Sequence, residues 1–193
     1  MLYIENVSES NDYSRLLKVH IKITSKGVNQ VELEPWPEQE FFPSSRYRVR
    51  IFLQAEDKCA FHEMLQEDLK AYFSGHPVDF LKYPVDYRSM TSFSRKVLDL
   101  ARSIPWGETR NYGWLSEQLG LHGGARAVGG ALSRNPVALI VPCHRVLRKD
   151  GQVWGFSAGI PWKRFLLNLE SPLSSHSGNS ECIEQVECIE VME

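Results

Sequence analysis

The stretch Ala125-Arg126-Ala127-Val128-Gly129-Gly130-Ala131-Leu132-Ser133-Arg134 runs into Asn135-Pro136 and then into Val137-Ala138-Leu139-Ile140-Val141-Pro142-Cys143-His144-Arg145. Residues 125–134 read as a short helix that Asn135-Pro136 stops, because a proline turns the residue before it away from the helical conformation. Upstream, Asn111 to Gly120 reads as another short helix ended by glycine, with His122-Gly123-Gly124 as the turn between the two. Two short helices joined by a glycine-containing turn read as a helix-turn-helix. The second helix is rich in small residues, and a helical glycine costs about 1 kcal/mol against alanine, so the Gly129-Gly130 pair wants a reason. Close approach of another backbone supplies one, and a DNA groove wall fits; tight packing on a neighbouring helix supplies the other. Arg126 stands alone on this small-residue surface, positioned to project.

Downstream, the apolar run from Val137 to Val141 reads as a short buried segment that delivers Cys143 into the interior. Pro142 fixes one dihedral and removes one donor, so the entry to Cys143 is stiff. His144 supplies a base and Arg145 a fixed positive charge. Nucleophilic cysteine chemistry needs such parts, because the thiolate is the reactive species and nearby cationic or basic groups raise its population. A buried cysteine is more often a small inert hydrophobe. On an extended segment adjacent side chains also face apart, so His144 would reach the sulfur through a water and not directly.

The chain has 193 residues with 42% hydrophobic and 24% charged content, as expected for a soluble globular protein. No apolar run approaches the roughly 20 residues that span a bilayer, and the N-terminus has no basic-then-apolar signal pattern. A cytoplasmic location is the default, nuclear if the source is eukaryotic. Cys59, Cys143, Cys182 and Cys188 are too sparse for a disulfide scaffold. Cys59 and His62 form at most half a zinc site, so no metal is expected. Net charge is −2, but residues 90–170 carry 11 Lys/Arg against 5 Asp/Glu, whereas residues 171–193 carry 5 acids and no base. The basic charge surrounds the cysteine motif, which is the footprint of a polyanion-binding module or of a solvated basic face.

The rest of the chain divides accordingly. Residues 1–89 form a scaffold of sheet and helix: apolar residues alternate at 17, 19, 21 and 23, further strands are expected near 28–33 and 47–53, and helical spacing runs over 57–74 to a stop at Gly75. Residues 76–90 read as an extended connector. Residues 90–170 add a helix over 91–102, the helix pair, the cysteine segment, a Gly-rich loop over 151–159 and a last helix over 161–170. Residues 171–193 read as an acidic, mostly disordered tail.

Ile104-Pro105-Trp106-Gly107-Glu108-Thr109, Ala125 to Ala131, Arg134-Asn135-Pro136 and Val141 to Val146 together resemble the O6-alkylguanine-DNA alkyltransferases, closely from about Leu65 to Glu170. The resemblance implies an α+β protein with a ribonuclease H-like N-terminal sheet and helix, and a mostly helical C-terminal part with a winged-helix-like helix-turn-helix and an active-site loop. It implies that Cys143 irreversibly accepts the alkyl group of O6-alkylguanine, and less well of O4-alkylthymine, from double-stranded DNA, one turnover per molecule. His144 would be a water-mediated base held by Glu170, and Tyr112 would donate to the guanine edge. Arg126 would enter the base stack, with Ala125, Ala127, Gly129 and Tyr112 against DNA. Val146, Leu147, Trp154, Phe156, Ser157 and Gly159 would form the pocket, braced by Asn135, Pro142 and Arg145. No cofactor is implied, and a monomer suffices. Phe156 stands where tyrosine is common and Trp154 where a small residue is usual, which implies poorer acceptance of large adducts such as benzyl.

Two other readings remain at this level. A lesion-binding protein would share Arg126 and the helix pair without needing Cys143. A DNA-binding regulator would need the helix pair alone, and leaves the lone cysteine at the end of a buried segment without a purpose.

Overall fold

The alternation of apolar residues in the first third of the chain produces a mixed sheet. In the computed structural model, which describes residues 16–37, 47–55, 61–87, 90–171 and 183–190, β1 is Leu16–Thr24, β2 is Gly27–Leu33 and β3 is Tyr47–Ala55. Leu17, Val19, Ile21 and Ile23 of β1 are buried, as period two requires when one face meets a core. β1 pairs antiparallel with β2 and parallel with β3.

Helix α1, His62–Phe73, packs Leu65, Leu69, Tyr72 and Phe73 inward. It ends in a Schellman arrangement: Gly75, at φ 81°, donates to Tyr72 O and His76 donates to Ala71 O. The expected connector is not simply extended. Phe80–Lys82 forms a 3-10 turn capped by Asp79, and Phe80 and Tyr83 are buried. Two aromatic side chains at this spacing have core to fill, and a tight turn lets both fill it.

Helix α2, Ser92–Arg102, starts at Thr91, whose hydroxyl accepts from Ser94 N. Then come β4 (Arg110–Asn111), α3 (Tyr112–Gln118) and α4 (Ala125–Leu132). Asn111 Oδ1 caps α3 by accepting from Trp114 N at 2.9 Å. Val128, Ala131 and Leu132 of α4 are buried, so its other face is the one free for contact. β5 (Val146–Leu147) pairs with β4, and α5 (Ile160–Leu169) carries Pro161 in its first turn.

One hydrophobic cluster runs from the strands into the helices. Val31 N donates to Pro136 O at 2.7 Å, Val31 bridges Val137, and Trp162 Nε1 donates to Glu34 O at 2.7 Å. The free edge of β2 therefore fixes the segment that leads to Cys143.

The C-terminal stretch departs from its reading as disordered: Ile183–Glu190 forms β6, parallel to β3, giving the order β2-β1-β3-β6. The physical reason is an available strand edge on β3 and a segment in which β-branched Ile183, Val186 and Ile189 favour extended backbone, with Val186 packing on the core. Residues 172–182 and 191–193 of that stretch lie outside the described residues, as does Cys59 of the Cys59/His62 pair. No helix among the described residues is long and apolar enough to cross a membrane.

Candidate functional site

The segment before Cys143 is a buried turn and not a strand. Val141 N donates to Val137 O and Ile140 N to Ala138 O, and Leu139 takes the left-handed region at φ 72°. Cys143–Arg145 then forms a 3-10 turn behind Pro142. The extended geometry expected here gives way to a turn closed by its own backbone hydrogen bonds, with Pro136 and Val137 at its start held on the β2 edge.

Asn135 organises this turn. Its Nδ2 donates to Val141 O at 3.0 Å and to Cys143 Sγ at 3.1 Å, and its Oδ1 accepts from Val137 N at 3.1 Å. A buried amide with its capacity used this way fixes the sulfur in place. Burial pushes the Cys143 thiol above its ordinary range, partly offset by the Asn135 hydrogen bond and the Lys163 charge.

Glu170, the cap of α5, is the hub beneath. Its Oε1 receives His144 Nε2 at 2.8 Å, Tyr72 Oη at 2.6 Å and Arg145 Nη2 at 3.0 Å; its Oε2 receives Arg145 Nε at 2.7 Å. Burial alone would raise its pKa, but His144 and Arg145 outweigh burial and hold it down at about 2. An ionised carboxylate only accepts, so Nε2 of His144 carries the proton and Nδ1 carries the lone pair. Nδ1 is buried and has no hydrogen-bond partner among the described groups. Burial lowers the imidazole pKa despite Glu170, which keeps His144 neutral.

Above the sulfur lies a cavity of about 560 Å³. Of the residues expected at the site, it brings together Cys143, Tyr112, Ala125, Arg126, Gly129, Trp154, Phe156 and Ser157, with Leu132, Ser133, Arg148 and Gly155 added. Ala127 is exposed outside its lining, and Val146 and Leu147 lie in β5. Gly159 borders a separate groove, at φ 94° ahead of α5. Arg126 is exposed and makes no ion pair with a described residue. A Cβ at Gly129 would meet Tyr112 at 3.8 Å and one at Gly130 would meet Arg134 at 3.9 Å, ordinary contacts. Packing within the protein therefore does not require either glycine.

Besides those four added lining residues, two buried residues escaped the sequence reading. Lys163 is fully buried, with Nζ donating to Val146 O at 2.7 Å and Trp154 O at 3.0 Å and lying 6.0 Å from the Tyr112 ring centre. Burial lowers its pKa to about 8, opposed by Cys143. Its position on the inner face of α5 was the available signal, since lysine among Trp162, Phe165 and Leu166 breaks the apolar pattern. Tyr72 carried no signal, because it fits the apolar face of α1.

Residues 92–172 match the family described as 6-O-methylguanine DNA methyltransferase, DNA binding domain. A relative from Mycobacterium bovis, named methylated-DNA–protein-cysteine methyltransferase, is 46% identical over 104 residues, 54% of this chain and 62% of the relative. One of the same name from Methanopyrus kandleri is 45% identical over 111 residues, 58% of this chain and 82% of the relative. The chain thus spans under two thirds of the mycobacterial relative's length. Among solved structures, Mycobacterium tuberculosis OGT in complex with DNA superposes with TM-score 0.58 at 31% identity, covering 79% of this chain and 92% of that one.

Proposed function

This chain belongs to the methylated-DNA–protein-cysteine methyltransferase family, and on that premise we propose that it repairs O6-alkylguanine in double-stranded DNA by moving the alkyl group to Cys143. The observation that carries the reading is Cys143, held by Asn135 at its sulfur, standing next to His144, which Glu170 joins to the buried Arg145 and Tyr72.

The chemistry balances on these groups. The thiol loses its proton through a bridging water to Nδ1 of His144, the base left free by Glu170. The sulfur attacks the alkyl carbon, an S–C bond forms, and the C–O6 bond breaks with its electron pair on guanine. Tyr112, at the cavity wall, donates to the leaving base as charge develops. Burial raises the Tyr112 pKa, reinforced by the Cys143 charge, so its phenol stays a donor. The thioether has no easy route back, so each molecule acts once.

Reaction on a paired base requires flipping it out of the stack, at a cost of a few kcal/mol. We read α3 and α4 as a helix-turn-helix of winged-helix type that meets the minor groove, with Arg126 filling the space left by the base. The glycines at 129 and 130, unexplained by internal packing, support that contact. The division into a ribonuclease H-like scaffold over 1–89 and a DNA-binding, alkyl-accepting part over 90–170 belongs to the same reading, as do a monomeric state and a cytoplasmic or nuclear location.

Intact mass after mixing with duplex DNA containing O6-methylguanine tests this. One methyl gained per protein, mapped to Cys143 and lost in Cys143→Ala, is the expected result. Tight binding without mass change would leave a lesion-binding protein.

A further inference from the structure

We propose that Trp154, backed by Arg148, is a stacking platform for the nucleotide next to the flipped one on the lesion strand. The inference rests on the DNA-repair reading above and adds a determinant of DNA affinity to it. Trp154 is 63% exposed, the most exposed of the large apolar side chains among the described residues. Tryptophan is usually well buried, so an indole left in water at the mouth of a reactive cavity wants a partner.

Three observations make that partner a nucleotide. Trp154 lines the same cavity as Cys143 and Arg126, so a strand that delivers a base to the sulfur passes it. Its backbone is held, because Trp154 O accepts from Lys163 Nζ at 3.0 Å; the indole therefore projects from a fixed point. The Arg148 guanidinium, which also meets Asp150 Oδ2 at 3.8 Å, lies over the ring at 5.6 Å from its centre while the residue stays mostly exposed. An aromatic ring beside a cation suits a base and its phosphate together, and stacking tolerates any base because every base has a π face. When one base leaves the helix, its neighbour loses a stacking partner, and the indole replaces it.

Trp154→Ala and Trp154→Phe in the full chain decide this. Single-turnover methyl transfer is measured from O6-methylguanine in duplex DNA and from the free O6-methylguanine base, alongside anisotropy binding of the same duplex. On DNA, Trp154→Ala loses about tenfold more than on the free base, the loss typical of removing one stacking aromatic. The duplex Kd rises by a similar factor, and Trp154→Phe recovers most of both. Equal losses on the two substrates would overturn the platform and make Trp154 a pocket wall. An unchanged duplex Kd would overturn it as well. Absence of transfer by the wild type from either substrate would instead overturn the repair reading, and the anisotropy comparison would still decide the platform.

Discussion

Arg145 and Glu170 meet as a two-pronged ion pair in the core, Nε to Oε2 at 2.7 Å and Nη2 to Oε1 at 3.0 Å, both almost fully buried. Arg145 Nη1 also donates to Ile104 O, so the guanidinium ties the turn that carries Cys143 to the end of α2 and of α5. The pair holds the carboxylate that orients His144.

Removing one charge should be costly. Glu170→Gln leaves a buried guanidinium without its counter-charge, for which losses of about 3–5 kcal/mol are typical. Urea unfolding at pH 7 measures it. Alkyl transfer should also fall, because the amide can offer its NH2 to His144 and reverse the tautomer that frees Nδ1. Unchanged stability would show that the pair is not the anchor described.

Acid should unfold the protein through the same group. Glu170 titrates at about 2 in the folded chain against an ordinary 4.5. A depressed carboxyl contributes stability that is present above pH 4.5 and is lost as pH falls towards 2. The shift corresponds to about 3 kcal/mol. Stability measured from pH 6 to pH 2 should decline in that window, and the Glu170→Gln variant should decline less steeply.

Without DNA, Cys143 should react slowly. Burial pushes its thiol up and the side chain of Asn135 pulls it down. Iodoacetamide labelling followed by peptide mapping should give a Cys143 profile displaced to higher pH than an ordinary thiol. Asn135→Ala should displace it further upward. The same variant leaves the Val137 amide without its Asn135 acceptor, whereas Val141 O keeps the Cys143 N–H at 2.8 Å, and should cost about 1–3 kcal/mol.

Arg126→Ala should separate binding from folding. The side chain is exposed on α4, so stability should stay within about 0.5 kcal/mol. Transfer from duplex DNA should drop at least about tenfold, because the vacated stack is no longer filled. A drop in the melting temperature to match would mean that Arg126 supports the fold instead.

Much of this was legible along the chain. Local rules placed β1 through period two, α2 through the cap offered by Thr91 or Ser92, α3 through its glycine stop at Gly120 and the end of α1 at Gly75, because caps, stops and alternation act between near neighbours in sequence. The motif around Cys143 marked it as the candidate nucleophile, and Arg126 stood out by isolation among small residues. The geometry of 137–145 was not legible, since a buried apolar run fits a strand or a turn equally well, and the choice was made by the edge of β2 more than a hundred residues away. Nor was β6, whose partner edge is equally distant.

The sequence by itself determined the helices and the strands β1 to β3 and singled out Cys143 as the candidate nucleophile, because those signals reside in short stretches of chain. Tertiary structure decided the rest. It brought Tyr72 from α1 to Glu170 and Lys163 from α5 to the carbonyls of Val146 and Trp154. It also set which nitrogen of His144 is free. Each is a contact between segments far apart in the chain, where burial strengthens charge and hydrogen bonding, and neither burial nor distance is written in local order.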